Sequence, residues 1–230
     1  MSIDIISELL KCGADIVGVG DLCELPSDVR GGLPIGISVA VKYPKEVIRA
    51  IADLPTLEYF EWYNTLNKKL DALVMRGEEL LRSCGFRAVA QTRERVKMGD
   101  GESHTVLPQK TVATRAGIGW IGKCALLVTP EFGSMVRLSS ILTDAPLKCA
   151  VPINMSKCGE CTSCQTACPA GAVSGKLWSV GLKREELFDA DACRKTARER
   201  AKRGFGGSET ICGKCIEVCE YTKRYLNSSD

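Results

Sequence analysis

Eight cysteines in the last third of the chain fall at spacings that suit iron–sulfur chemistry. The run CGECTSCQTACPAGAV places Cys158, Cys161, Cys164 and Cys168 in a C-x2-C-x2-C-x3-C-P series. Three closely spaced thiolates can hold one [4Fe–4S] cubane, while the fourth, turned away by its proline, reaches a second. Another set follows as Cys193, Cys212, Cys215 and Cys219. Two cubanes need eight thiolates, and eight are there. The chemistry this implies is the movement of single electrons.

Structural zinc is the bland rival, since thiolate suits both metals. A zinc knuckle needs only two cysteines, however, so Cys164 and Cys168 would be surplus to the first one. A disulfide framework fits less well. The opening MSIDIISELLKC carries Asp4 and Glu8 where an export signal has basic residues. No apolar run approaches the length of a membrane span. Thirteen cysteines in an unexported chain point to a reducing cytoplasm and no membrane partner.

The elements that must position these cysteines read as an α+β chain. At 230 residues it can hold one medium domain and a small one, which we place at 1–148 and 149–230. Ile3–Cys12 reads as a helix and Ile16–Val19 as a strand. Ile37, Val39 and Val41 alternate with Ser38, Ala40 and Lys42 in a strand that ends at Tyr43-Pro44. A long helix is predicted from Thr56 to Cys84, with Leu66, Leu70, Leu73 and Val74 on one face and Gly85 as its cap. Phe86–Gln91 reads as a strand, and RERVKMGDGESHTVLPQ as a functional loop. Then come the helical QKTVATRA and the turn GIGWIGK. Two strands, Cys124–Thr129 and Met135–Thr143, are predicted to join through Pro130–Gly133, and 144–157 reads as a linker.

Gly117, Gly119 and Gly122 spell G-x-G-x-x-G, but the context excludes a dinucleotide site. That fingerprint needs a strand before and a helix after, so that the pyrophosphate meets a helix N-terminus. Here a helix precedes and a strand pattern follows. We read a tight turn with Trp120 buried. Charge is also uneven. Residues 1–150 carry 18 Lys and Arg against 18 Asp and Glu, so the net charge of +3 lies wholly in the cysteine-rich part. Arg194, Lys195, Arg198, Arg200, Lys202 and Arg203 face only Glu199. Such a run is first a solvated helix face; it could also dock an acidic electron donor or a nucleic-acid backbone.

Two segments together resemble the catalytic core of epoxyqueuosine reductases. RAGIGWIGKCALLVTPEFGSMVRLSSILTDAPL (Arg115–Leu147) precedes the cysteine series in the order found in that family, and the likeness covers residues 80–230 best. The resemblance implies a nitroreductase-like N-terminal domain with a mixed sheet, followed by a bacterial-ferredoxin-like two-cluster domain. It implies two [4Fe–4S] clusters: Cys158, Cys161, Cys164 and Cys219 on the first, and Cys168, Cys193, Cys212 and Cys215 on the second. It further implies a base-off corrinoid (cobalamin) beside Gly117, Gly119, Trp120 and Gly122, with Lys123 orienting corrinoid or substrate. Glu220 stands where the family has a proline. Ser103 falls where the family has its proton-donating aspartate, which leaves Glu102 or His104 as substitute acid.

These readings combine into an expected iron–sulfur reductase acting on a small-molecule substrate, fed by an acidic flavodoxin or ferredoxin. An electron carrier without corrinoid and a tRNA epoxyqueuosine reductase are the alternatives. The family's C-terminal helical repeats, which grip tRNA, are absent from the sequence. We therefore expect no nucleic-acid partner and no completion of queuosine synthesis. Cys12, Cys23, Cys84, Cys124 and Cys149 show no ligand spacing and read as small buried apolar residues. Cys124 stands out among them because it abuts the GIGWIGK turn.

Overall fold

The structure, a computed structural model, describes residues 4–98 and 105–228. Two compact units interleave along the chain rather than following one another. The first gathers Met1–Val41, Leu66–Gly119 and Arg137–Ile153; the second gathers Lys42–Thr65, Trp120–Val136 and Asn154–Asp230.

The first unit is built on a four-stranded sheet in the order β1-β2-β6-β3. Its strands are β1 (Ile16–Asp21), β2 (Ile35–Lys42), β3 (Ala88–Ala90) and β6 (Val136–Thr143). β1 pairs antiparallel with β2, Ile16 opposite Ala40, and β3 pairs antiparallel with β6, Ala88 opposite Thr143. The alternation expected in β2 disappears, because Gly36 to Val41 are all buried. Ser38 and Ala40, expected to face water, are fully covered. A strand buried on both faces loses its period of two.

Helices α1 (Ile5–Lys11), α3 (Leu57–Ser83) and α4 (Gln109–Arg115) complete this unit, α3 from residue 66 onward. Asp4 caps α1 by accepting from the Ser7 amide at 3.1 Å, and Thr56 Oγ1 accepts from the Tyr59 amide at the start of α3. Leu66, Leu70, Leu73, Val74 and Leu81 are buried along α3, as its period predicts. Each such leucine truncated to alanine would cost about 2–5 kcal/mol. α4 lies so close to β1 that a Cβ on Gly20 would sit 2.4 Å from the Arg115 carbonyl carbon. The 144–157 stretch is no free linker over its first part. Ala150 N–H donates to Val19 O at 2.8 Å, and Ile153 N–H to Thr114 O at 2.9 Å.

The second unit carries a two-stranded sheet of β4 (Trp120–Ile121) and β5 (Leu127–Val128), with Trp120 opposite Val128. This corrects the predicted hairpin. Leu127–Val128 pairs back onto the GIGWIGK segment, and β6 joins the other sheet. Pro130–Gly133 contributes only an isolated bridge, Thr129 to Gly133. The remaining helices are α2 (Lys45–Arg49), α5 (Ser163–Thr166), α6 (Arg184–Leu187), α7 (Ala190–Phe205), α8 (Lys214–Glu217) and α9 (Glu220–Asn227). α7 is the long one. Asp189 caps it through the amides of Asp191 and Ala192, and Gly206, at φ 75°, ends it.

Gly77 tests the packing of α3. A helix-interior glycine costs about 1 kcal/mol against alanine, yet a Cβ here would lie 2.3 Å from Ile141 Cδ1 and 3.4 Å from Leu9. Gly77→Val should lower unfolding stability by about 1–3 kcal/mol through overpacking, read from urea denaturation. An unchanged midpoint would show that β6 and α1 give way freely.

Candidate iron–sulfur site

Short turns bring the cysteines together. Cys158 and Cys161 share a turn closed by Cys161 N–H to Cys158 O at 3.2 Å. Cys164 lies in α5 and Cys215 in α8, two one-turn helices in contact. Cys219 is the N-cap residue of α9. Cys158, Cys161, Cys164, Cys215 and Cys219 line one cavity. Four of these are the predicted first set, and Cys215 was assigned to the second. Cys168, Cys193 and Cys212 form another group, close enough that Cys212 and Cys168 act on the Cys193 thiol.

The donor set fits iron–sulfur clusters. All thirteen cysteines are free thiols. A cubane presents separate irons to thiolates spread around it. The wall leaves room by a missing side chain: a Cβ on Gly122 would stand 2.8 Å from Val128 and 3.5 Å from Cys158 Sγ. Burial, with Cys212 and Cys168 beside it, pushes the Cys193 thiol up to about 11. The hydrogen bond to Cys124, with burial, raises Cys164 as well. Thiols so placed stay protonated at neutral pH until a metal displaces the protons.

Several groups aim dipoles at the sulfurs. Trp120 is 1% exposed, and its Nε1–H points to Cys158 Sγ at 3.5 Å. Tyr221 meets the Trp120 ring edge-on, with centroids 4.8 Å apart. Ala172 N–H reaches Cys168 Sγ at 3.4 Å. Ser163 Oγ lies 3.5 Å from Cys161 Sγ and donates to Glu220 Oε1 at 3.0 Å. Glu220 therefore does more than interrupt a proline turn. It opens α9 with an acidic side chain, which the helix dipole favours, and takes up the serine hydroxyl.

Lys123 is buried, and its Nζ donates to Cys161 O at 2.9 Å. It ties the β4–β5 turn to the first cysteine loop. The glycines expected beside a corrinoid are closely packed. A Cβ on Gly117 would lie 2.9 Å from Val151 O and 3.1 Å from Ala150 Cβ, and Gly122 faces Val128 and Cys158. Gly119 and Trp120 are buried. These residues pack on protein atoms, so no step below is routed through a corrinoid. Glu102, Ser103 and His104 lie outside the described residues.

The reading of the spare cysteines needs correction. Cys12 and Cys23 are exposed, Cys84 and Cys149 half-buried, and of the five only Cys124 is buried. Cys124 lines the cluster cavity. Sequence spacing could not find it, because it comes from a strand hairpin 34 residues before Cys158. Its one signal was adjacency to the family turn.

The comparisons agree with this chemistry. Residues 157–222 match the 4Fe-4S double cluster binding domain. Over 123 residues the chain is 46% identical to the epoxyqueuosine reductase of Listeria monocytogenes, covering 51% of this chain and 30% of that protein. Over 186 residues it is 32% identical to the epoxyqueuosine reductase of Salmonella typhimurium, covering 76% of this chain and 44% of that one. The match thus spans less than half of either relative.

Among solved structures, an epoxyqueuosine reductase with an epoxyqueuosine-modified tRNA-Tyr stem loop superposes at a TM-score of 0.63 and 22% identity. It covers 96% of this chain and 64% of that one. A catabolic reductive dehalogenase in complex with 3-bromo-4-hydroxybenzoic acid gives 0.72 at 17% identity, covering 95% and 31%. The chain is thus similar to epoxyqueuosine reductases and carries a segment that matches a 4Fe-4S double cluster binding domain. No described helix is long and apolar enough to cross a membrane.

Hydrogen bonds to ligand sulfur raise a cluster's potential by offsetting thiolate charge. Trp120→Phe keeps the ring and removes the Nε1–H donor. It should leave iron content unchanged and shift one cluster potential to a more negative value in an anaerobic redox titration. An unshifted potential would show that the indole N–H does not act on Cys158.

Proposed function

We propose that the chain is an iron–sulfur reductase of the epoxyqueuosine reductase type, relaying single electrons to the reduction of epoxyqueuosine in tRNA. The observation that carries this reading is the convergence of Cys158, Cys161, Cys164 and Cys219 on one cavity. It lies within a double-cluster segment whose curated relatives are epoxyqueuosine reductases. In this reading those four thiolates hold the first [4Fe–4S] cluster, and Cys168, Cys193, Cys212 and Cys215 hold the second. The sheet of β1, β2, β6 and β3 with its helices is taken as the nitroreductase-like domain.

When bound, the clusters supply one-electron storage and transfer. The chain's own residues hold and tune them. Trp120 and the Ala172 amide direct N–H groups at ligand sulfurs, while Lys123 fixes the Cys161 loop through its carbonyl. Reducing an epoxide to an alkene consumes two electrons and two protons and releases its oxygen as water. A positioned acid typically contributes about 10²–10⁴-fold, and we assign that role to Glu102 or His104. A phosphate backbone would find Lys195, Arg198, Lys202 and Arg203 exposed along α7. This reading displaces the expected small substrate.

A corrinoid-assisted variant has one observation in its favour: the fold likeness to reductive dehalogenases, one described through a mechanism for B12-dependent dehalogenation. Added cobalamin retained with a base-off spectrum supports that variant, and a titration without spectral change rules it out.

Two measurements test the main reading. Protein purified without oxygen should contain about eight iron and eight sulfide per chain, the content of two cubanes; stoichiometric zinc in their place would end the cluster assignment. Expressed in cells lacking their epoxyqueuosine reductase, the chain should restore queuosine to tRNA. Failure with both clusters intact would leave an electron carrier or a reductase with another substrate.

A further inference from the structure

The eight-cysteine pattern does not account for every thiol at the first cavity. Cys124 is 6% exposed and shares that cavity with Cys158, Cys161, Cys164, Cys215 and Cys219. Cys164 and Cys215, on the same cavity, are near enough to act on its thiol. It is held there by a closed turn: Gly122 N–H donates to Leu126 O at 2.8 Å, and Ala125 N–H to Gly122 O at 2.9 Å. Ala125 takes φ 60°, the one positive φ of a non-glycine residue among those described. β4 and β5 anchor both ends of the turn, and Lys123 ties it to Cys161. The thiol is therefore presented by a frame separate from the cysteine loops themselves.

We propose that Cys124 is an alternative ligand of the first cluster, able to take the iron that Cys164 vacates. This rests on the reading that the cavity holds a [4Fe–4S] cluster. With all eight cysteines in place, Cys124 stays off iron. If Cys164 is lost, one iron is left open. Cys124 then gives its proton to solvent and forms an Fe–S bond. Nothing is oxidised or reduced. The exchange needs no refolding, because the thiol already borders Cys164 and its turn does not depend on α5. Cys193 is grouped with Cys168 and Cys212 instead, away from this cavity, and has no such stand-in.

The test uses the full chain, purified without oxygen, with iron and sulfide content and the low-temperature electron paramagnetic resonance spectrum of the reduced protein as readouts. Cys124→Ala should keep the wild-type iron content. Cys164→Ala should also keep it, with altered g values because one ligand now arrives from another direction. Cys124→Ala combined with Cys164→Ala should lose about half the iron, the content of one cubane in two. Cys193→Ala alone sets the scale of a loss that nothing rescues. If Cys164→Ala loses as much iron as Cys193→Ala, the proposal is wrong. It is equally wrong if Cys124→Ala alone loses iron, since Cys124 would then be an obligatory ligand. A wild-type chain that binds no iron would sink the cluster reading itself, an outcome distinct from either.

Discussion

Thiolates brought close together repel one another, and this one fact governs the second unit. Protonation is the escape open to the metal-free chain: burial, with neighbouring thiols beside it, raises Cys193, and the hydrogen bond to Cys124, with burial, raises Cys164. A cation between the sulfurs removes the conflict and turns repulsion into ligation. The helices that carry the cysteines could not settle the matter themselves. α5 and α8 have four residues each, far below the length at which a helix persists alone in water. These turns therefore draw their stability from the packing around them as well as from metal binding.

The cysteine loops also lean on chain segments that contain none of the eight cysteines. Lys214 Nζ donates to Ala52 O at 2.6 Å, and the Arg49 guanidinium hydrogen-bonds Leu226 O. Ser134 N–H donates to Thr222 Oγ1 at 3.1 Å. Phe60 stacks on Phe205, and Phe132 meets Tyr225 edge-on. These contacts give the loops a rigid surround, so the orientation of each sulfur is set before iron arrives. Preorganisation of this kind lets a few N–H groups act on cluster charge without reorganising.

Much of this was legible in the sequence, for identifiable reasons. Ligand spacing is a strong signal because a cubane fixes how far apart its thiolates can start, so the segment could be read as a double-cluster one. The face of α3 was legible from Leu66, Leu70, Leu73 and Val74, since burial on one side leaves a period. β2 was legible as a strand but not in its facing, because burial on both sides erases the alternation. The Leu127–Val128 pairing was missed for a related reason. Strand character says nothing about partner, and the two-residue partner Trp120–Ile121 lies in a segment whose glycines read as turn. Cys124 was hidden by the same error. Reading residues 124–129 as one strand gives its side chain no reason to point at the cysteine loops.

The interleaving of the two units bears on how the protein is made. Segment 42–65 belongs with residues beyond 154, and Lys45 Nζ bonds Ser228 O across 183 positions of chain. Contacts this distant in sequence close late, and a ribosome delivers residues from the N-terminus onward at about 5–20 per second. The early segment must wait, unpartnered, while most of the chain is still being synthesised. The first cysteine loop likewise emerges well before Cys219, which would complete its ligand set. Cluster insertion thus belongs to the period after translation has passed the second cysteine set. Until then the nascent chain carries loose thiols that a cell must shield from oxygen and stray metal.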